Sequence, residues 1–145
     1  MSANPPGSAL ASGVILTTST TCCWRRPDVH LHAVVAYFPP TDLSRWENRR
    51  AFPATALQEA EAAQYSPIRF VSPGAAPSLI VHGDADRVVP MVEGETMYAA
   101  LSKAGVPASF VRIEGAGHGF DGADFTRANA EMLRWFEQHL RGAAK

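Results

Sequence analysis

The chain has 145 residues, 46% of them hydrophobic, and a formal charge of −1 from 13 basic and 14 acidic side chains. That length buries one ordinary core, so a single domain is expected. Lys and Arg are scattered, which argues against a nucleic-acid partner, and there is neither a span of about eighteen apolar residues nor a charged residue ahead of Arg25 to form a signal n-region, so a soluble, cytoplasmic protein without a membrane span is expected.

Residues 1–32 carry little pattern: Ala9–Leu16 is mildly apolar, and the adjacent Cys22 and Cys23 cannot staple distant segments and read as small apolar side chains. The first clear element is Ala33–Phe38, an unbroken apolar run stopped by Pro39-Pro40, the pattern of a strand buried on both faces. Residues 44–76 then turn irregular and polar, with a short helix rich in Ala and Glu over 54–64. This excursion is lid-like, with Trp46, Phe52 and Tyr65 as aromatics that either face a substrate or pack the loop itself.

A second strand is expected at Ser78–His82, ending at Gly83, and a third at Ala108–Ile113. Between them a helix over about 91–104 places Met97, Tyr98, Leu101 and Ala104 on one stripe, with Gly105 to end it. A last helix over about 123–140 carries Phe125, Ala128, Met132, Trp135, Phe136 and Leu140 at helical spacing. Strand, helix, strand is a right-handed parallel crossover, so the class is α/β, a mostly parallel sheet with flanking helices.

Two loops at the carboxyl edge of that sheet, where open α/β sheets bind ligands, carry the chemistry. After the second strand comes Gly83-Asp84-Ala85-Asp86; after the third, Gly117-His118-Gly119-Phe120. A carboxylate in such a turn is often only a turn former, and a histidine between glycines often only a surface residue. An acid followed by a base at one sheet edge is more specific, because a catalytic imidazole needs a carboxylate to fix its tautomer and stabilise the imidazolium.

The segment from Pro77 to Phe120 resembles the carboxyl-terminal part of α/β-hydrolases of the esterase and lipase type. The carrying motifs are His82-Gly83-Asp84-Ala85-Asp86-Arg87-Val88-Val89-Pro90 and Gly117-His118-Gly119-Phe120, joined by Tyr37-Phe38-Pro39-Pro40-Thr41-Asp42-Leu43 and Ser66-Pro67-Ile68. The resemblance implies a partial α/β-hydrolase fold, with Asp86 as the triad acid, ahead of Asp84, and His118 as the base. It also implies a Gly-x-Ser-x-Gly elbow and a His-Gly-Gly oxyanion loop, and neither stands in this sequence. Pro6-Gly7-Ser8-Ala9-Leu10 comes nearest, with Pro6 and Leu10 where glycines belong, so residues 1–32 read either as a leader or as a remnant of the elbow and its helix, with Ser8 the tentative nucleophile.

The expected function is therefore a carboxylic ester hydrolase of serine type acting on a small ester, with no cofactor and no metal. A prolyl-oligopeptidase-like peptidase piece is the close competitor, since it resembles the same signatures; the Pro39–Leu43 loop tips the balance toward esterase. A different class is a non-catalytic partial domain, self-associating as a homo-oligomer through the exposed sheet edge at Ala33–Phe38. A metal site on Asp84, Asp86 and His118 lacks a facing ligand set.

Overall fold

The computed structural model describes residues 10–11, 14–15, 31–45 and 59–141. Ser8, Cys22, Cys23, Trp46 and Phe52, named above, lie outside them, as does most of 1–32 and the first part of the helix expected at 54–64. Leu10–Ala11 (β1) and Val14–Ile15 (β2) pair as a short antiparallel hairpin beside β3. The remaining order is β3 (Val34–Tyr37), α1 (Glu59–Tyr65), a 3₁₀ turn (Pro67–Phe70), β4 (Ser78–Gly83), α2 (Met91–Lys103), β5 (Ala108–Ile113) and α3 (Gly122–Leu140).

Strands β3, β4 and β5 form a parallel sheet in that spatial order. All six residues of the central β4 are buried, because its apolar side chains alternate between two covering layers. Leu79 and Val81 face the cluster built with Ile113, Ala116, Ala128 and Trp135, against which Val35, Tyr37 and Phe136 pack. Ile80 faces the other way, into Leu101 and Val106, backed by Met97 and Phe110. Thus α3 covers one face and α2 the other. The crossover expected between the second and third strands is present, with Val81 opposite Val111 and Gly83 opposite Ile113.

Three expectations need correction. The first strand is shorter than expected and half-buried along its length, because it stands at the edge of the three-stranded sheet among the described residues. In α2, Tyr98 is exposed, while Met97, Leu101 and Ala104 pack on the core; the Tyr98 ring sits at the rim, 6.1 Å from Phe110. In α3, Phe125 and Leu140 are also exposed. The 19-residue helix spans about 28 Å, whereas a six-residue strand covers about 20 Å, so the helix is longer than the strands it covers.

Candidate active site

Strands β4 and β5 end level with one another, and their carboxyl-terminal loops cross directly. A Cβ built on Gly83 would overlap the Ala116 carbonyl oxygen and stand 2.7 Å from its carbonyl carbon, so only glycine lets the loop after β5 pass this close. The crossing is tied by backbone bonds, Asp84 N–H to Ile113 O at 3.2 Å and Ala85 N–H to Ala116 O at 3.0 Å. Asp86 stands one residue beyond Ala85, and His118 two beyond Ala116.

Asp86 Oδ2 lies 2.9 Å from His118 Nδ1. The Asp86 side chain is fully buried, while that of His118 is 23% exposed, so the carboxylate faces inward and the ring stands at the surface of the sheet edge. The other carboxylate oxygen, Oδ1, accepts the Val88 and Val89 N–H groups at 2.8 and 2.9 Å. These donors fix the carboxyl plane, and a carboxylate at Asp86 selects an Nδ1–H tautomer at His118 and leaves Nε2 as the free base.

Asp84 does something else. Its carboxylate accepts from Gly115 N–H at 2.7 Å and from Arg112 Nε at 2.8 Å, and these two partners hold its pKa below the ordinary carboxylate value. It braces the end of β5 and takes no part in the contact with His118. Ser8 lies outside the described residues, and Tyr65, the described member of the lid-like aromatics, is exposed at the end of α1. Among the described residues no group of three or more His, Cys, Asp or Glu side chains is placed to hold a metal ion, and no helix is long and apolar enough to cross a membrane.

Three residues near the pair escaped the sequence reading. Phe38, at the end of β3, has φ of +39°, in the left-handed region that non-glycine residues seldom occupy. Its ring lies 4.5 Å from the His118 imidazole and 5.1 Å from Phe120, centroid to centroid. Strain of this kind persists only where surrounding structure holds it, here the 2.9 Å bond from Phe38 N–H to Val81 O and the loop that follows. That loop is anchored by Glu93, a buried carboxylate in the first turn of α2. Its Oε2 accepts Thr41 N–H at 2.9 Å and Asp42 N–H at 2.8 Å. The Thr41 hydroxyl sits 2.8 Å from the Glu93 carbonyl oxygen and 2.9 Å from Oε2, donating to one of them. An acidic residue just after Pro90 is a helix-start signal, which hinted at Glu93's place though not at its partner.

The third is His82, read in sequence only as part of a motif. It is completely buried at the end of β4, with Nε2 2.9 Å from Val89 O. Burial lowers its pKa, outweighing the Val89 carbonyl and the Asp86 charge, which pull the other way.

A model of the prolyl oligopeptidase family matches residues 18–143. The uncharacterized peptidase YuxL of Bacillus subtilis (strain 168) is 32% identical over 79 residues, which make up 52% of this chain and 12% of that protein. Among solved structures, a truncated form of a carbohydrate esterase from gut microbiota superposes with a TM-score of 0.60 at 30% identity, covering 73% of this chain and 43% of that one. A puromycin-hydrolyzing peptidase of Mycobacterium tuberculosis superposes with a TM-score of 0.63 at 27% identity, covering 74% and 18%. The chain spans less than half the length of each of these relatives.

Proposed function

The chain belongs to the prolyl oligopeptidase family and has an α/β-hydrolase fold, and from that premise we propose that it supplies the acid and the base of a serine-type acyl hydrolase. The observation that carries the reading is the 2.9 Å contact between the buried carboxylate of Asp86 and Nδ1 of the partly exposed His118. In this mechanism His118 Nε2 takes the proton from a serine hydroxyl as the oxygen attacks the acyl carbon. It then returns that proton to the leaving group, while Asp86 stabilises the imidazolium. Ser8 is the nucleophile that fits the sequence best.

A small ester is the substrate proposed first, on the strength of the Pro39–Leu43 loop and the likeness to an esterase. A peptide bond is the second, favoured by the family match and by the likeness to peptidases. The chemistry separates them: an amine is a poorer leaving group than an alkoxide, so peptide cleavage depends more heavily on protonation by His118.

The test is turnover of a short-chain nitrophenyl ester and of an aminoacyl nitroanilide by the purified chain, with fluorophosphonate labelling and peptide mapping. Asp86→Asn and His118→Ala are each expected to lower kcat/KM by about a thousandfold or more, and the label is expected on Ser8. Unchanged rates in both variants, or no labelled serine, would overturn the mechanism. A label on another serine would keep the acid and base and reassign the nucleophile.

A non-catalytic, self-associating module is the remaining reading, favoured by the position of β3 at the sheet edge. It requires a dimer or larger species in light scattering; a strictly monomeric chain refutes it.

A further inference from the structure

Asp86 stands between two histidines, and only one of them belongs to the proposed chemistry. The second, His82, has no exposed surface, and its Nε2 lies 2.9 Å from Val89 O and 3.5 Å from Asp86 Oδ2. A carbonyl oxygen only accepts, so Nε2 must carry hydrogen. Among the described residues Nδ1 is buried without a hydrogen-bond partner, which suits the bare lone pair of a neutral ring rather than a second N–H. Its surroundings agree: a Cβ on Gly94 of α2 would stand 2.8 Å from Nδ1, which leaves no room for a solvating group on that side.

Asp86 and His118 lie on the loops beside His82, Glu93 on α2 is turned to Thr41 and Asp42, and Arg112, the register partner of His82 on β5, is bonded to Asp84. The bonds close a ring: His82 donates to the Val89 carbonyl, while the Val89 N–H donates to Asp86 Oδ1.

We propose that His82 is a positioning residue for the acid: as a permanently neutral Nε2–H donor it closes the loop from Gly83 to Val89 and aims the Asp86 carboxylate at His118. The inference rests on the reading of Asp86 and His118 as acid and base. A protonated His82 would fail at this task, because it would place a second cation beside the carboxylate and compete with the imidazolium of His118 for it. Neutrality is therefore part of the function, and the complete burial of the ring, with Gly94 close against Nδ1, favours it.

The experiment uses the whole chain with ¹⁵N-labelled histidine, unchanged and as His82→Gln and His82→Leu, each first checked for native circular dichroism. Long-range proton–nitrogen correlation spectra should show His82 neutral with hydrogen on Nε2 from pH 5 to 8, and a hydrogen-bonded Nδ1–H proton on His118. That proton signal should survive in His82→Gln, whose amide can donate, and vanish in His82→Leu. In parallel kcat should fall about 10- to 100-fold in His82→Leu, a range typical of partners that orient a working histidine or carboxylate, with KM unchanged and with recovery in His82→Gln.

An Nδ1–H tautomer at His82, its protonation within that pH range, or a His118 proton signal that persists in His82→Leu overturns the proposal. So does His82→Leu that fails to fold while His82→Gln folds but lacks the His118 signal. These spectra need no turnover, so a chain that is inactive on every substrate would sink the hydrolase reading and leave the positioning role to be decided by the proton signals alone.

Discussion

The closest approach in the site is made by backbone, so Gly83→Ala is the perturbation that tests the architecture most directly. The added methyl would stand 2.7 Å from the Ala116 carbonyl carbon and overlap its oxygen. Ordinary carbon contact begins at about 3.5 Å, so the loop after β5 must retreat by at least roughly 0.8 Å, and further to clear the oxygen. Retreat breaks or lengthens the 3.0 Å bond from Ala85 N–H to Ala116 O. Overpacking costs about 1–3 kcal/mol and the weakened bond about 1 kcal/mol more, giving roughly 2–4 kcal/mol in all. Urea unfolding should show a lower midpoint at unchanged slope. Gly74→Ala, where a new Cβ meets nothing within 4 Å, is the control and should stay within about 0.5 kcal/mol of the parent. Were Gly83→Ala to match that control, the two loops would not cross in contact, and the account of how Asp86 meets His118 would be wrong.

The buried neutral state of His82 makes stability depend on pH. Its folded pKa is lowered, so the unfolded chain binds the proton more readily; the contribution is full above about pH 6.5 and declines as pH falls below it, with a slope of at most about 1.4 kcal/mol per pH unit. Urea midpoints at pH 7 and 5 should show this loss, and His82→Gln should remove its share of it. Glu93→Ala strands the Thr41 and Asp42 N–H donors and should cost about 2–4 kcal/mol, whereas Glu93→Gln, which keeps an acceptor, should cost about half as much by the same assay. Phe38→Gly should be more stable than Phe38→Ala by about 1 kcal/mol, since only glycine relieves φ of +39°; equal stabilities would show that this backbone carries no strain.

Local pattern brings Asp86 and His118 to one edge of the sheet. Apolar runs ending at Gly83 and Ile113 set two strands, and parallel crossover geometry put the loops after them on one edge. What stayed hidden was whatever depends on approach between elements distant in sequence. Phe38 reads as the end of a strand, and nothing in Tyr37-Phe38-Pro39 announces a left-handed residue whose ring packs at a tilt against an imidazole that follows far along the chain. The sequence shows nothing of Glu93 beyond its place at a helix start, because its partners are backbone N–H groups and backbone has no sequence signature. The apolar stripe of α3 misplaced Phe125 and Leu140 for another reason: periodicity gives the face of a helix but not how far the sheet beneath it extends.

The pairing of β4 with β5 also acts as a ruler. Strand residues advance about 3.3 Å each, and the smallest slip that keeps the same side chains on the same faces is two residues, about 6.6 Å. That step is more than twice the 2.9 Å separating Asp86 from His118. Misregistered pairing therefore cannot yield a slightly weakened site. The hydrogen bonds that match Gly83 to Ile113 make the contact between Asp86 and His118 an all-or-nothing property of the correctly folded sheet, and partial misfolding would be expected to reduce the number of molecules that hold it rather than to loosen it in each.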